Sequence, residues 1–142
     1  MSWWATMTFV DLENTVVPFG ASDADIAQQL DALRERANGR AFEVVSNRPN
    51  LSMGVAMPSV NWNARKPFTR RRLLPKLGTP ESLVVIGDVP VTDGLLAWRL
   101  KCLFVQVPLP KSAPFWPRAL HFIMRPFEGL FFRAVDVHEQ TR

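Results

Sequence analysis

Cysteine and histidine are nearly missing from this 142-residue chain, which has one cysteine, Cys102, and two histidines, His121 and His138. A single cysteine excludes an intramolecular disulfide framework and a multi-cysteine zinc or iron–sulfur centre, and it fits a reducing compartment. Both histidines lie in the last quarter of the chain and read as packing or surface residues, not as a metal centre. No run approaches the roughly 20 apolar residues that span a bilayer. The opening MSWWATMTFVD has no basic stretch ahead of its first acid, Asp11. Neither a transmembrane helix nor a secretory leader is therefore expected, and the expected compartment is the cytoplasm. The chain also lacks internal repeats, low-complexity tracts and an interdomain linker.

What is present suffices for one folded domain. The chain is 47% apolar and 21% charged, which excludes wholly disordered and collagen-like classes. The net charge of +4 is split unevenly. Residues 1–43 carry seven acids and three bases, whereas the remainder carries six acids and fourteen bases. A basic back half calls for an anionic partner: phosphate, nucleic acid or an anionic lipid surface.

Apolar periodicity predicts strands at 7–11, 41–46, 83–88 and 103–107, with a weak one near 55–60. Helices are expected over 23–38, capped by Ser22 and ended by Gly39; over 69–77, shortened by Pro75; and over 93–101, capped by Thr92. An amphipathic stretch covers 115–134, where Pro117 and Pro126 oppose one continuous helix. Alternating strands and helices mean βαβ units and a mostly parallel sheet, an α/β fold whose ligands sit at the carboxyl ends of the strands. Polar residues just past those ends are Asp11, Ser46-Asn47, Lys66, and Asp88 with Asp93.

Each of these has a plain reading as a turn former, cap or solvated cation. The joint pattern is harder to explain that way, because strand ends at one rim carry an acid, Ser-Asn, and an acid again. Three carboxylates at close quarters stay ionised together only around a cation. A small set of hard oxygen ligands suits Mg²⁺, which keeps waters and a substrate phosphate in its shell. Ser46, Asn47 and Lys66 supply donors for phosphate oxygens. Such a rim suits phosphoryl transfer, with a carboxylate available as nucleophile.

At these residues the chain resembles the haloacid-dehalogenase-like hydrolases. DLENT (11–15) resembles their first motif, SN (46–47) the second, Lys66 in ARKP the third and GDVPVTD (87–93) the fourth. The order and the proline-rich stretch that follows are similar to a compact subgroup containing the YqeG-type and phosphatidylglycerophosphate phosphatases. The resemblance implies a Rossmann-like three-layer sandwich without a cap domain. It implies Asp11 as nucleophile and Mg²⁺ ligand, Ser46 and Asn47 on the phosphoryl group, and Lys66 neutralising charge. Asp88 and Asp93 would serve the metal, and Thr15 would steady the phosphate-binding loop. Glu13 stands where the family carries an acid–base aspartate that also ligates Mg²⁺ through its backbone carbonyl. A glutamate can still protonate a leaving oxygen, but its carboxyl sits one methylene further out. The expected function is a Mg²⁺-dependent phosphomonoester hydrolase acting on a phosphorylated small molecule or a lipid phosphate. The alternatives are a weak or inactive domain that binds phosphate or a partner, and a basic nucleic-acid-binding module.

Residues 63–76 hold six cations and no acid. The expected division is a catalytic core over 1–110 and an aromatic, basic extension over 111–142. Within that extension, 114–133 interleaves aromatics with Arg118, Arg125 and Arg133. Such a stretch covers its own sheet, forms a homodimer contact or lies peripherally in a headgroup layer. Its aromatics favour lipid over nucleic acid as the anionic partner.

Overall fold

A computed structural model describes residues 7–48, 60–62, 64–69 and 83–131. Its strands are β1 (Met7–Asp11), β2 (Phe42–Val45), β3 (Val60–Asn61), β4 (Leu83–Gly87) and β5 (Leu103–Gln106). Its helices are α1 (Asp23–Ala37), α2 (Leu95–Leu100), α3 (Phe115–Met124) and α4 (Glu128–Phe131). The strands form one sheet in the order β3-β2-β1-β4-β5, and every pairing is parallel. This is the α/β architecture with a parallel sheet that the periodicity predicts.

Burial explains why these segments pair. Neighbouring residues of a strand point to opposite faces. Val45, with Phe9, Leu83 and Val85, packs against Leu96, Ala97 and Leu100 of α2. Val44, one residue earlier, joins Leu12 and Val17 against Ile26 and Leu30 of α1. The two helices therefore cover opposite faces. Truncating a fully buried leucine such as Leu12 or Leu30 to alanine costs about 2–5 kcal/mol in sites of this kind.

Helix α1 follows its sequence signals closely. Ser22 accepts from the Asp25 N–H at 3.2 Å, and Asp25 accepts from the Ser22 N–H at 3.3 Å, a reciprocal capping box. At the far end Asn38 takes the left-handed conformation, and Gly39 follows with φ +80°.

The second helix departs from expectation. A five-residue π turn, Pro90–Gly94, precedes α2, which begins at Leu95. Thr92 is not its cap: the Thr92 hydroxyl donates to the Val89 carbonyl at 3.2 Å. The extra turn delivers Asp93 into the interior. The chain over 115–131 breaks at a 3₁₀ turn, Arg125–Phe127, around Pro126. Pro117 sits in the first turn of α3, where a missing N–H costs nothing. Among the described residues, the weak strand is represented by Val60–Asn61. Residues 55–59, the helix expected over 69–77 beyond Thr69, and most of the basic arm lie outside the described residues.

β1 lies between β2 and β4, so the chain order reverses at its carboxyl end. In open parallel sheets this switch point is where ligands bind.

Candidate active site

The loop leaving β1 is built around Leu12, which is fully buried beneath α1. The Val16 and Val17 N–H groups both donate to its carbonyl, at 2.9 and 3.1 Å. Asn14 allows the tight return with φ +59°, a conformation asparagine tolerates. Asp11 and Glu13 flank Leu12, and both carboxylates line an open cleft of about 480 Å³, counting solvent at its mouth.

Across the switch point, β4 ends in Gly87 and Asp88 follows it. Asp88 and Asp93 are both buried. A side chain on Gly87 would collide with the Asp93 carboxyl, so this glycine is needed for close approach. The Val89 N–H donates to Asp93 Oδ2 at 3.4 Å.

Lys66 reaches the same point from the loop after β3. Its Nζ donates to Asp11 Oδ1 and, at 2.5 Å, to Asp93 Oδ1. The loop is tied to the end of β2. The Lys66 N–H donates to Asn47 Oδ1 at 2.6 Å, and Asn47 Nδ2 donates to the Lys66 carbonyl at 3.2 Å. The Ala64 N–H donates to the Ser46 carbonyl at 2.8 Å. Asn47 thus turns its amide to the backbone that carries the lysine. Ser46, buried at the cleft, accepts the Arg48 N–H at 3.0 Å through its hydroxyl oxygen and keeps its own proton to donate.

One carboxylate oxygen from each of Asp11, Asp88 and Asp93 lies within 4.8 Å of the others. Against three acids stands one ammonium, a net charge of −2 when all are ionised. Burial pushes Asp11 up from 3.8 to about 6, against the pull of Lys66. Burial raises Asp93 to about 6 as well. Asp88 is also raised, first by burial and then by the Asp93 charge, while hydrogen bonds from Asp11 and Asn14 pull it down. Burial alone would make Lys66 more acidic, but the charges of Asp93 and Asp11 outweigh it and hold its pKa well above the ordinary lysine value. The buried Asp88 Oδ2 has no hydrogen-bond partner among the described residues. This one unsatisfied buried carboxylate oxygen, beside two further acids, belongs to an all-oxygen donor set. A hard divalent cation such as Mg²⁺ fits such a set, although the set alone does not single out Mg²⁺.

Of the residues picked out from sequence, Asp11, Glu13, Ser46, Asn47, Lys66 and Asp88 line the cleft. Asp93 stands behind Lys66. Thr15 is not among the described lining residues, and its buried hydroxyl has no partner among the described residues.

Sequence reasoning passed over Arg48, Asn14 and Trp116. Arg48 lines the cleft, donates from Nη1 to the Ala21 carbonyl at 3.0 Å and lies 3.8 Å from Glu13 Oε1. It sits just past β2, so the strand-end rule that singled out Ser46 and Asn47 also covers it. Trp116 of α3 meets Phe19 edge-on at 6.1 Å, and both border the cleft. Nothing in the sequence links those two positions. No family model, curated protein or solved structure matches this chain.

Proposed function

We propose that this chain is a Mg²⁺-dependent phosphomonoester hydrolase on an uncapped haloacid-dehalogenase-like fold, with Asp11 as nucleophile. The observation that carries the reading is the meeting of Asp11, Asp88, Asp93 and Lys66 at the switch point of a parallel sheet. The ordered motifs DLENT, SN, RKP and GDVPVTD support it, because each contributes to that one spot.

Asp11, Asp88 and Asp93 would hold the cation, which supplies charge neutralisation for phosphate oxygens when bound. Lys66 neutralises the carboxylates and a phosphate oxygen, and the Ser46 hydroxyl donates to another. An Asp11 oxygen attacks phosphorus as the bond to the leaving oxygen breaks, and Glu13 gives that oxygen its proton. Water then attacks the aspartyl-phosphate and loses a proton to Glu13. The bond to Asp11 breaks, releasing inorganic phosphate and the free carboxylate. The cleft is open at its mouth, which suits a phosphate presented on a large molecule or a lipid headgroup.

Asp11→Asn is expected to abolish Mg²⁺-dependent phosphate release from p-nitrophenyl phosphate. Equal turnover by wild type and variant would refute the reading. A second reading, phosphate binding without turnover, draws on the side chain of Glu13, which is turned to Arg48. It predicts phosphate binding with no release from any phosphomonoester.

A further inference from the structure

Helix α3 packs with its apolar side outward. Phe115 is 84% exposed, Phe122 77% and Ile123 58%, whereas Pro117 and Met124 are buried. The spacing makes this a pattern of three lines. Phe115 and Phe122 are seven residues apart, close to two helical turns, so they share one line along the helix. Pro117 and Met124, also seven apart, form the opposite, inward line. Arg118 and Arg125, seven apart again, form a third line about 60° round from the phenylalanines.

From Lys111 to Phe127 the chain carries three cations and no acid. An apolar stripe edged by arginines is what a helix lying in an anionic headgroup layer presents. Among the described residues no helix is long and apolar enough to cross a membrane, so the helix would lie on the surface. Its first turn also borders the cleft through Trp116 and Pro117.

We infer that the outward face of α3, with Phe115, Phe122 and Ile123 inserted and Arg118 and Arg125 on phosphates, docks this protein on anionic membranes. The cationic edge is the reason to choose a membrane over a second copy, whose identical edge would repel. The inference does not depend on the phosphatase reading.

The test is cosedimentation of the full chain with phosphatidylcholine vesicles, with and without phosphatidylglycerol. Binding is expected with the anionic vesicles and little without. Phe122→Ser/Ile123→Ser should lower partition on the order of tenfold per side chain. Arg118→Gln/Arg125→Gln should lower it roughly fivefold per arginine. These positions are exposed, and circular dichroism checks the fold. Absence of binding to anionic vesicles, or undiminished binding by both variants, overturns the inference. So does a vesicle-free dimer that Phe122→Ser/Ile123→Ser dissolves. Hydrolysis of soluble p-nitrophenyl phosphate, followed alongside, separates the two readings. Vesicle binding without hydrolysis refutes the phosphatase and leaves docking intact, and hydrolysis without vesicle binding does the reverse.

Discussion

Glu13 carries the largest burden at the scale of single residues. Its carboxyl stands one methylene further from the backbone than an aspartate would, and misplacement of about 1 Å can cost on the order of 10²-fold in rate. Arg48, fixed by the Ala21 carbonyl, lies 3.8 Å from that carboxyl and limits where it can go. If Glu13 is the proton donor, its loss slows formation of the aspartyl-phosphate, the half-reaction that kcat/KM reports, only where the leaving oxygen needs a proton. Glu13→Gln should lower kcat/KM on an alkyl phosphate by about 10²–10⁴-fold. The same variant should lower it far less on p-nitrophenyl phosphate, whose leaving group departs as the anion. Arg48→Met should show the same split in weaker form, as expected of a positioning residue. Equal losses on both substrates would remove Glu13 from the acid role. The residue types at this site were legible from the sequence because strand-end positions are few. The partners were less so: Asn47 turning to the Lys66 backbone depends on a loop closure that no local pattern encodes.

Within elements, the fit is tightest where β4 runs into the π turn. Gly87 has no room for a Cβ because the Asp93 carboxyl occupies that space. Gly87→Ala should destabilise the protein by about 1–3 kcal/mol, as overpacking does, and should lower activity by displacing Asp93. A melting temperature equal to wild type with full activity would contradict this packing. In β2, burial raises Glu43 from 4.5 to about 7. An acid whose pKa is raised on folding stabilises the fold fully below its unfolded value and loses that contribution as pH rises through the folded one. Denaturant unfolding of Glu43→Gln should therefore show a gain over wild type at pH 8 that vanishes at pH 4. A constant difference would argue against a half-buried, proton-holding Glu43. Strands β1, β4 and β5 and helix α1 were readable because period and caps agree along each one. The π turn was not, because Thr92 fits a cap by type, and only the tertiary demand to bury Asp93 shifts the helix start to Leu95.

Across the whole molecule, the fold gathers distant residues at one place. Lys66 and Asp11 are 55 positions apart and share a buried ion pair. Parallel order makes this possible, since it sends every strand's carboxyl end to the same rim. The α/β class followed from alternating strand and helix patterns. The strand order did not, because periodicity says which segments pair but not with whom. Nor did the outward apolar face of α3, since an amphipathic pattern does not say which side meets the core. The central claim is that phosphoryl groups pass through Asp11, and acyl phosphates are reduced by borohydride. Reductive trapping during turnover of p-nitrophenyl phosphate with Mg²⁺, followed by peptide mass spectrometry, should find homoserine at position 11 and at no other acid. Sustained phosphate release with Asp11 unmodified, or with the label on another residue, would contradict the account.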